Sequence, residues 1–558
     1  MWTQRYDPLG HWVASTSVAA LPVVVLLGLL ISGRASAWKA ALMGLATALA
    51  VAIFVFKMDA SIAFAAVGYG AMFAAFRIIW LIVAAVFLYE IAVATGQFEV
   101  MKASVARLSG DRRVQAVLIA FGFGAFVEGA AGFGAPVAIS AAFLVGLGFK
   151  PHRAAVLCLI ANTAPVAWGS IGIPILTLSK VTGLDVEALS ATCGRILPPL
   201  SLIIPFWLVR TICGWKDTFA VWPVLLSIGG SFALAQFLWS NFVGFELVDI
   251  VAAVACLTSG LLMLRYWKPR AEWRFEGEGD AAIVEGPGPT RAQVIRAWMP
   301  FALLSAFVFL WGLPAVKPLG TPPVKEWLDR HTSWKPPMPG LHLRVAKGEA
   351  VTGHPSPTPA DREKAEVDLV PVSATGTAVL AAALVSGLFL GLRPPAMARI
   401  FVKTCRRLLP AMAAILAMLG LGFVTKYSGM DAVLGLAFTR TGRGLYPIFG
   451  TLLGWLGVAL TGSDTSSNVL FGNLQKITAG KLGLSPILMA SANTTGGVMG
   501  KMIDAQSIVV AAAATGERGG EGRILRAVMG HSIALALLVG GIVWIYAHVW
   551  PAAVAVAR

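Results

Sequence analysis

Apolar runs of about 20 residues alternate with short polar turns along most of this chain, a spacing that predicts repeated helical crossings of a bilayer. Two pairs of segments break the pattern. Polar and Gly-rich residues interrupt apolar sequence at Gly124–Gly134 and again at Gly457–Ser467. About 30 residues after each comes a second interruption, at Ala161–Gly169 and Ala492–Gly500, so one order of motifs occurs twice. Polar breaks at matching places in two halves point to a transporter site built from duplicated discontinuous helices.

Composition strengthens this reading. Hydrophobic residues make up 57% of the 558 residues and charged ones 13%, against about 25% charged in soluble domains. The formal net charge of +16 fits cytoplasmic loops facing anionic lipid better than nucleic acid. The five cysteines form no CxxC pair, and neither a disulfide framework nor a metal cluster is expected. No cofactor motif is present. Walker A, G-x-S-x-G and H-E-x-x-H are missing, which removes support for ATP-driven transport and for common hydrolase chemistry. The N-terminus lacks a signal-peptide pattern, and Val13–Ile31 reads as a retained first helix.

The basic residues set a topology. Arg34 and Lys39, the cluster Lys102–Arg113, Lys150–Arg153, Arg393–Arg407 and Arg518–Arg526 are placed inside by the positive-inside rule. The expected fold is an all-α polytopic membrane protein of about 12 transmembrane helices plus two re-entrant hairpins, in inverted repeats, with both termini periplasmic. The first repeat spans 1–268, with a hairpin at 114–149, whose arms read as short for a crossing, and a broken helix at 154–179. A cytoplasmic loop covers 269–297, a transmembrane helix 298–315, and a long, solvated external loop 316–372, whose histidines lack metal-ligand spacing. The second repeat spans 373–558, with a hairpin at 445–475 and a broken helix at 485–510.

Within these breaks, Glu128 is a carboxylate in an apolar setting, and intramembrane ionisable residues are functional candidates by default. It is the first choice for carrying a proton, ahead of Asp464 and Asp504. Gly129, Gly132 and Gly134 let backbone turn tightly beside it. Pro165, Gly462, Gly496 and Gly497 are read the same way at the other breaks. Thr461–Asn468 concentrates polar side chains, more than interhelical hydrogen bonding requires. Asp464, Thr465, Ser466, Ser467 and Asn468 are therefore candidate ligands for a substrate or ion. Asn162, Thr163, Asn493 and Thr494 are placed at the helix breaks, where freed amides and the helix dipole suit a small organic anion. The competing reading is that these side chains only re-satisfy freed backbone. Lys501 either pairs with Asp504 at i,i+3 or receives the substrate carboxylate. Glu90, Arg77 and His531 are lone polar residues in apolar stretches, read as interface or core groups.

Four segments carry a resemblance: GAFVEGAAGFGAPVAI at Gly124–Ile139, NTAPVAWGSIGIPI at Asn162–Ile175, GWLGVALTGSDTSSN at Gly454–Asn468, and ANTTGGVMGKMI at Ala492–Ile503. With Tyr6-Asp7-Pro8 and Gly230–Gln236, they resemble the bacterial lactate permease family from end to end, outside the long loop. One departure is Ala505, where the resemblance implies a proline. The resemblance implies a proton symporter for lactate and glycolate in the bacterial inner membrane, with substrate, proton and lipid as its partners. The motif order is also similar to that of the ion-transporter superfamily. The residues alone reach a secondary transporter of a small anion, and Ser, Thr and Asn ligands keep a sodium-coupled organic-anion transporter open as the alternative.

Overall fold

The computed structural model describes residues 1–31, 35–130, 132, 135–275, 288–312, 324–352, 358–367, 369–517 and 520–554. Gly134 of the first motif, and Arg34 and Arg518 of the basic clusters, lie outside these residues, as does the side chain of Arg77.

Over the described residues, the apolar stretches are helical. Among the described residues, seven helices are long and apolar enough to cross a membrane, or nine if each of two bent pairs is one span. The bent pairs are Pro151–Ala161 with Val166–Thr182, at 65°, and Val186–Ile196 with Pro198–Ile212, at 42°. Helix ends follow local chemistry. Asp111 accepts from the Arg113 amide, Ser463 from that of Ser466, and Ser485 from that of Leu488, each satisfying a donor that a helix start leaves open. Gly183, Gly429 and Gly462 close helices in the left-handed conformation, as glycine does without strain.

The first hairpin differs from its expected form. Its first arm is a 19-residue run, Arg112–Ala130, all of it buried inside the protein, and therefore not a short arm. It continues through Glu128 to Ala130, and a π-helical stretch, Val117–Phe123, lies within it. The second arm, Ala135–Gly146, has 12 residues. The second hairpin pairs Gly442–Thr461 with Asp464–Lys481, of 20 and 18 residues, across Gly462 and Ser463.

The long loop is folded over its described residues rather than merely solvated. Val345–Ala346 pairs in parallel with Trp2–Thr3, and bridges join Trp334 to Leu369 and Pro337 to Glu366. Gln4 donates to the carbonyls of Lys426 and Tyr427, and the Gly348 amide donates to the Tyr6 hydroxyl. Backbone pairing with the N-terminal segment supplies the order that Pro-rich composition does not. The preceding helix is Arg291–Gly312.

Candidate functional site

Helix packing sets the site. Gly454 and Gly496 stand where two helices touch backbone to backbone. A Cβ on Gly454 would collide with the Asn493 carbonyl, and one on Gly496 with that of Thr451. This close approach is what small residues permit between helices. It also explains a difference from the sequence reading. Asn493 and Thr494 lie inside an unbroken helix, Pro486–Gly500, and the break comes later, at Lys501–Asp504. The glycine run signals contact, not a break.

Four segments meet around Asn468. Its side-chain oxygen accepts from Asn493 Nδ2 at 2.9 Å and from Thr494 Oγ1 at 2.9 Å. Its amide donates to the Pro174 carbonyl of the first broken helix at 3.2 Å. Ser467 donates to the Gly454 carbonyl. Behind it, Gln475 bonds to the Gly450 carbonyl and receives the Tyr446 hydroxyl. Thr465 and Ser466 are half-buried and stand at the edge of this network.

The first broken helix bends by 65°. Asn162 caps the end of Pro151–Ala161, so the break presents a helix C-terminus there rather than freed amides. Thr163 Oγ1 donates back to the Ile160 carbonyl, re-satisfying backbone at the break. Pro165 opens a single turn at Val166–Trp168. Gln236 fixes that turn by donating to the Ala164 carbonyl while accepting from Ser201. Ser170, Ile171 and Gly172 then follow with φ of 48°, 62° and 78°. Left-handed conformation in Ser and the β-branched Ile is costly and marks a position held by its surroundings.

The ionisable groups converge here. Lys501 donates to the Gly462 carbonyl at 2.6 Å and pairs with Asp504 at 3.2 Å, tying the tip of the second hairpin to the second break. The i,i+3 pair between Lys501 and Asp504 is therefore formed. Asp504 also caps the next helix, accepting from the Ser507 amide. Lys501 acts electrostatically on both Glu128 and Asp464. Gly497 lies against Asp464 Oδ1, and Gly169 against the Glu128 carboxylate. Gly132, with φ +56°, faces Ser170 and Glu128, while Gly129 packs on Asp249 and Ile250. Asn162 lies alongside Glu128 without a well-aligned bond: Glu128 Oε2 and both polar atoms of the Asn162 side chain have no hydrogen-bond partner among the described residues. Asp464 Oδ1 is likewise unpartnered. Glu128, Asn162, Asp464, Asn468, Asn493 and Asp504 are all buried, so the constellation is occluded.

Asp249 belongs here and was not singled out from the sequence. It is buried, both its oxygens lack a hydrogen-bond partner among the described residues, and its charge couples to Glu128. It sits in the first turn of Val248–Tyr266, where a carboxylate reads as ordinary helix-dipole chemistry. The signal available was a lone acid opening an apolar run. Of the lone polar residues, Glu90 pairs with Arg407, and His531 Nδ1 accepts from the Trp207 indole.

A model of the L-lactate permease family matches residues 15–550. The chain belongs to this family. It is 43% identical over 98% of its length to a glycolate permease of Escherichia coli strain K12, also over 98% of that protein. It is 41% identical over 98% of its length to an L-lactate permease of Bacillus subtilis strain 168, over 99% of that protein. Among solved structures, the Alcanivorax borkumensis YdaH transporter aligns over 85% of this chain and 86% of its own, at TM-score 0.44 and 13% identity. The protein is thus a multi-pass membrane permease, not an enzyme.

Proposed function

We propose that the protein is a secondary active transporter of lactate and related short 2-hydroxymonocarboxylates, glycolate included, coupled to proton symport across a bacterial inner membrane. The names of its relatives support the substrate. The observation that supports cation coupling is the charge balance of the occluded site. One ammonium, Lys501, stands among the carboxylates of Glu128, Asp464 and Asp504, with Asp249 beside Glu128. Adding a substrate anion to that set requires compensating cations, because unpaired buried charge is costly.

The division of labour follows from the contacts. Asn493, Thr494, Asn468 and Ser467 bond to one another and to backbone in this occluded arrangement, and exchanging those bonds offers neutral donors for a carboxylate and a 2-hydroxyl. Lys501 holds the hairpin tip and supplies positive charge nearby. Glu128, whose Oε2 has no hydrogen-bond partner among the described residues, takes and releases the coupling proton. A proton moving with the anion offsets its charge across the membrane potential, worth about 2.3 kcal/mol per charge per 100 mV. We further read the two hairpin-plus-broken-helix units as inverted repeats about this site, within about 12 crossings, with both termini periplasmic. The contact from Asn468 of the second unit to Pro174 of the first supports a shared site between them.

Uptake of labelled lactate into sealed vesicles tests the reading. A proton gradient in sodium-free buffer drives accumulation if it holds. Accumulation only with a sodium gradient supports the sodium-coupled alternative, through Asp464 and the adjacent Ser and Asn oxygens. No accumulation under either gradient overturns it.

A further inference from the structure

A polar cavity lies away from the occluded site, beneath the N-terminal segment and the long loop. Its volume is about 470 Å³, and its walls include Lys347, Lys426, Lys476 and Lys481 against one lining acid, Glu363. Lys347 pairs with Glu363 at 3.3 Å. A further acid, Asp431, lies behind the wall, bonded to Asn473 and coupled to Lys426. Counting both acids, cations still prevail by four to two. This is the opposite balance to the occluded site, where one ammonium faces several carboxylates.

A structural role accounts for part of the cluster. Lys426 donates to the Val181 carbonyl and Lys476 to that of Thr182, at the end of the first broken helix. Lysines at a helix C-terminus complement its dipole. Each ammonium has three donors, so these bonds leave capacity facing the cavity. Lys347 is on the long loop, and Lys481, the last residue of its own helix, reaches across to the Val351 carbonyl in the last turn of Glu349–Thr352. The helix Asp464–Lys481 joins the two places. It starts at Asp464, carries Asn468 in the occluded site, and reaches Lys476 about 12 Å further along its axis.

We propose that this cavity is a vestibular binding site for a small carboxylate anion, which collects the substrate before it enters the occluded site. This rests on the transport reading above. A cavity with one sign of charge and low-dielectric walls concentrates counter-ions. The folded long loop and N-terminal segment form its roof.

The test is initial-rate uptake of labelled lactate by the full chain in vesicles of neutral lipid, and in parallel vesicles containing phosphatidylglycerol, at low and high ionic strength. Wild-type uptake comes first, and its absence overturns the transport reading itself. Given uptake, Lys347→Gln with Lys481→Gln is expected to raise KM several-fold at low salt, and charge reversal by Lys347→Glu with Lys481→Glu about tenfold. Maximal velocity is retained. Glu363→Gln is expected to lower KM, a direction a merely structural role does not produce. High salt is expected to shrink all three shifts, as screening of exposed charge requires. Thermal melting of each variant confirms that it folds. An unchanged KM in the folded lysine variants and in Glu363→Gln overturns the proposal. So does a shift seen only with phosphatidylglycerol present, which would make the cavity a lipid-phosphate site.

Discussion

Asn493 donates to the side-chain oxygen of Asn468 across 2.9 Å, joining the middle of an unbroken helix to the second arm of a hairpin. Because the same oxygen also accepts from Thr494, Asn468 is a hub. Asn493→Ala removes one bond to the hub and one neutral donor. It is expected to weaken lactate affinity by about 1–3 kcal/mol, the cost of leaving a buried polar group unpaired. Asn468→Ala strands Asn493, Thr494 and the Pro174 carbonyl together, and is expected to cost more. Lactate binding to purified protein measures both, and an unchanged dissociation constant in Asn493→Ala excludes this network from the substrate site.

Lys501 and Asp504 are expected to behave as a buried pair. Lys501→Met leaves Asp504 uncompensated, and Asp504→Asn does the same to Lys501. Breaking such a pair costs about 3–5 kcal/mol. The double variant is expected to recover much of that loss. Thermal melting in detergent across the four proteins gives the coupling. Additive losses would show that the two side chains act independently.

Asp249 gives a prediction of opposite sign for stability. Neither oxygen has a hydrogen-bond partner among the described residues, so Asp249→Leu gives up no bond and relieves a buried polar group. Its melting temperature is expected to match or exceed the wild type, while coupled accumulation falls because Glu128 loses its neighbouring carboxylate. Loss of stability would mean that Asp249 braces the fold.

Ala505 is the first residue of the helix Ala505–Thr515 and follows the extended Asp504. A proline at that position loses no helix bond, because the first amides have no partner within the helix. Ala505→Pro is expected to raise stability by about 0.4–1 kcal/mol through the unfolded state. A lower melting temperature would show that the backbone there departs from the proline geometry.

Much of this site was legible in the sequence because its residues are costly where they stand. A carboxylate at Glu128 and the polar run Thr461–Asn468 stand out from apolar surroundings, whatever the fold. The resemblance carried the family. What was misread depends on tertiary contact. Gly496 and Gly500 lie in an unbroken helix because Gly496 meets the Thr451 carbonyl and Gly500 that of Trp455, and a glycine run looks the same whether it breaks a helix or packs one. The first hairpin arm runs on to Ala130 because the whole arm is sheathed in protein. Asp249 was hidden by its ordinary place in a first helical turn. The long loop's order comes from pairing with residues more than 300 positions away, which no local pattern reports.

The mechanism proposed above gives the coupling proton to Glu128. Glu128→Gln keeps the size and the polar oxygen of the side chain but cannot exchange a proton. The decisive measurement is labelled-lactate uptake in sealed vesicles under an imposed pH gradient, set beside lactate exchange with no gradient. Glu128→Gln is expected to lose pH-driven accumulation and to retain measurable exchange. Accumulation of lactate against its gradient by Glu128→Gln, driven by the pH difference, would contradict this and move the assignment to Asp464 or Asp504.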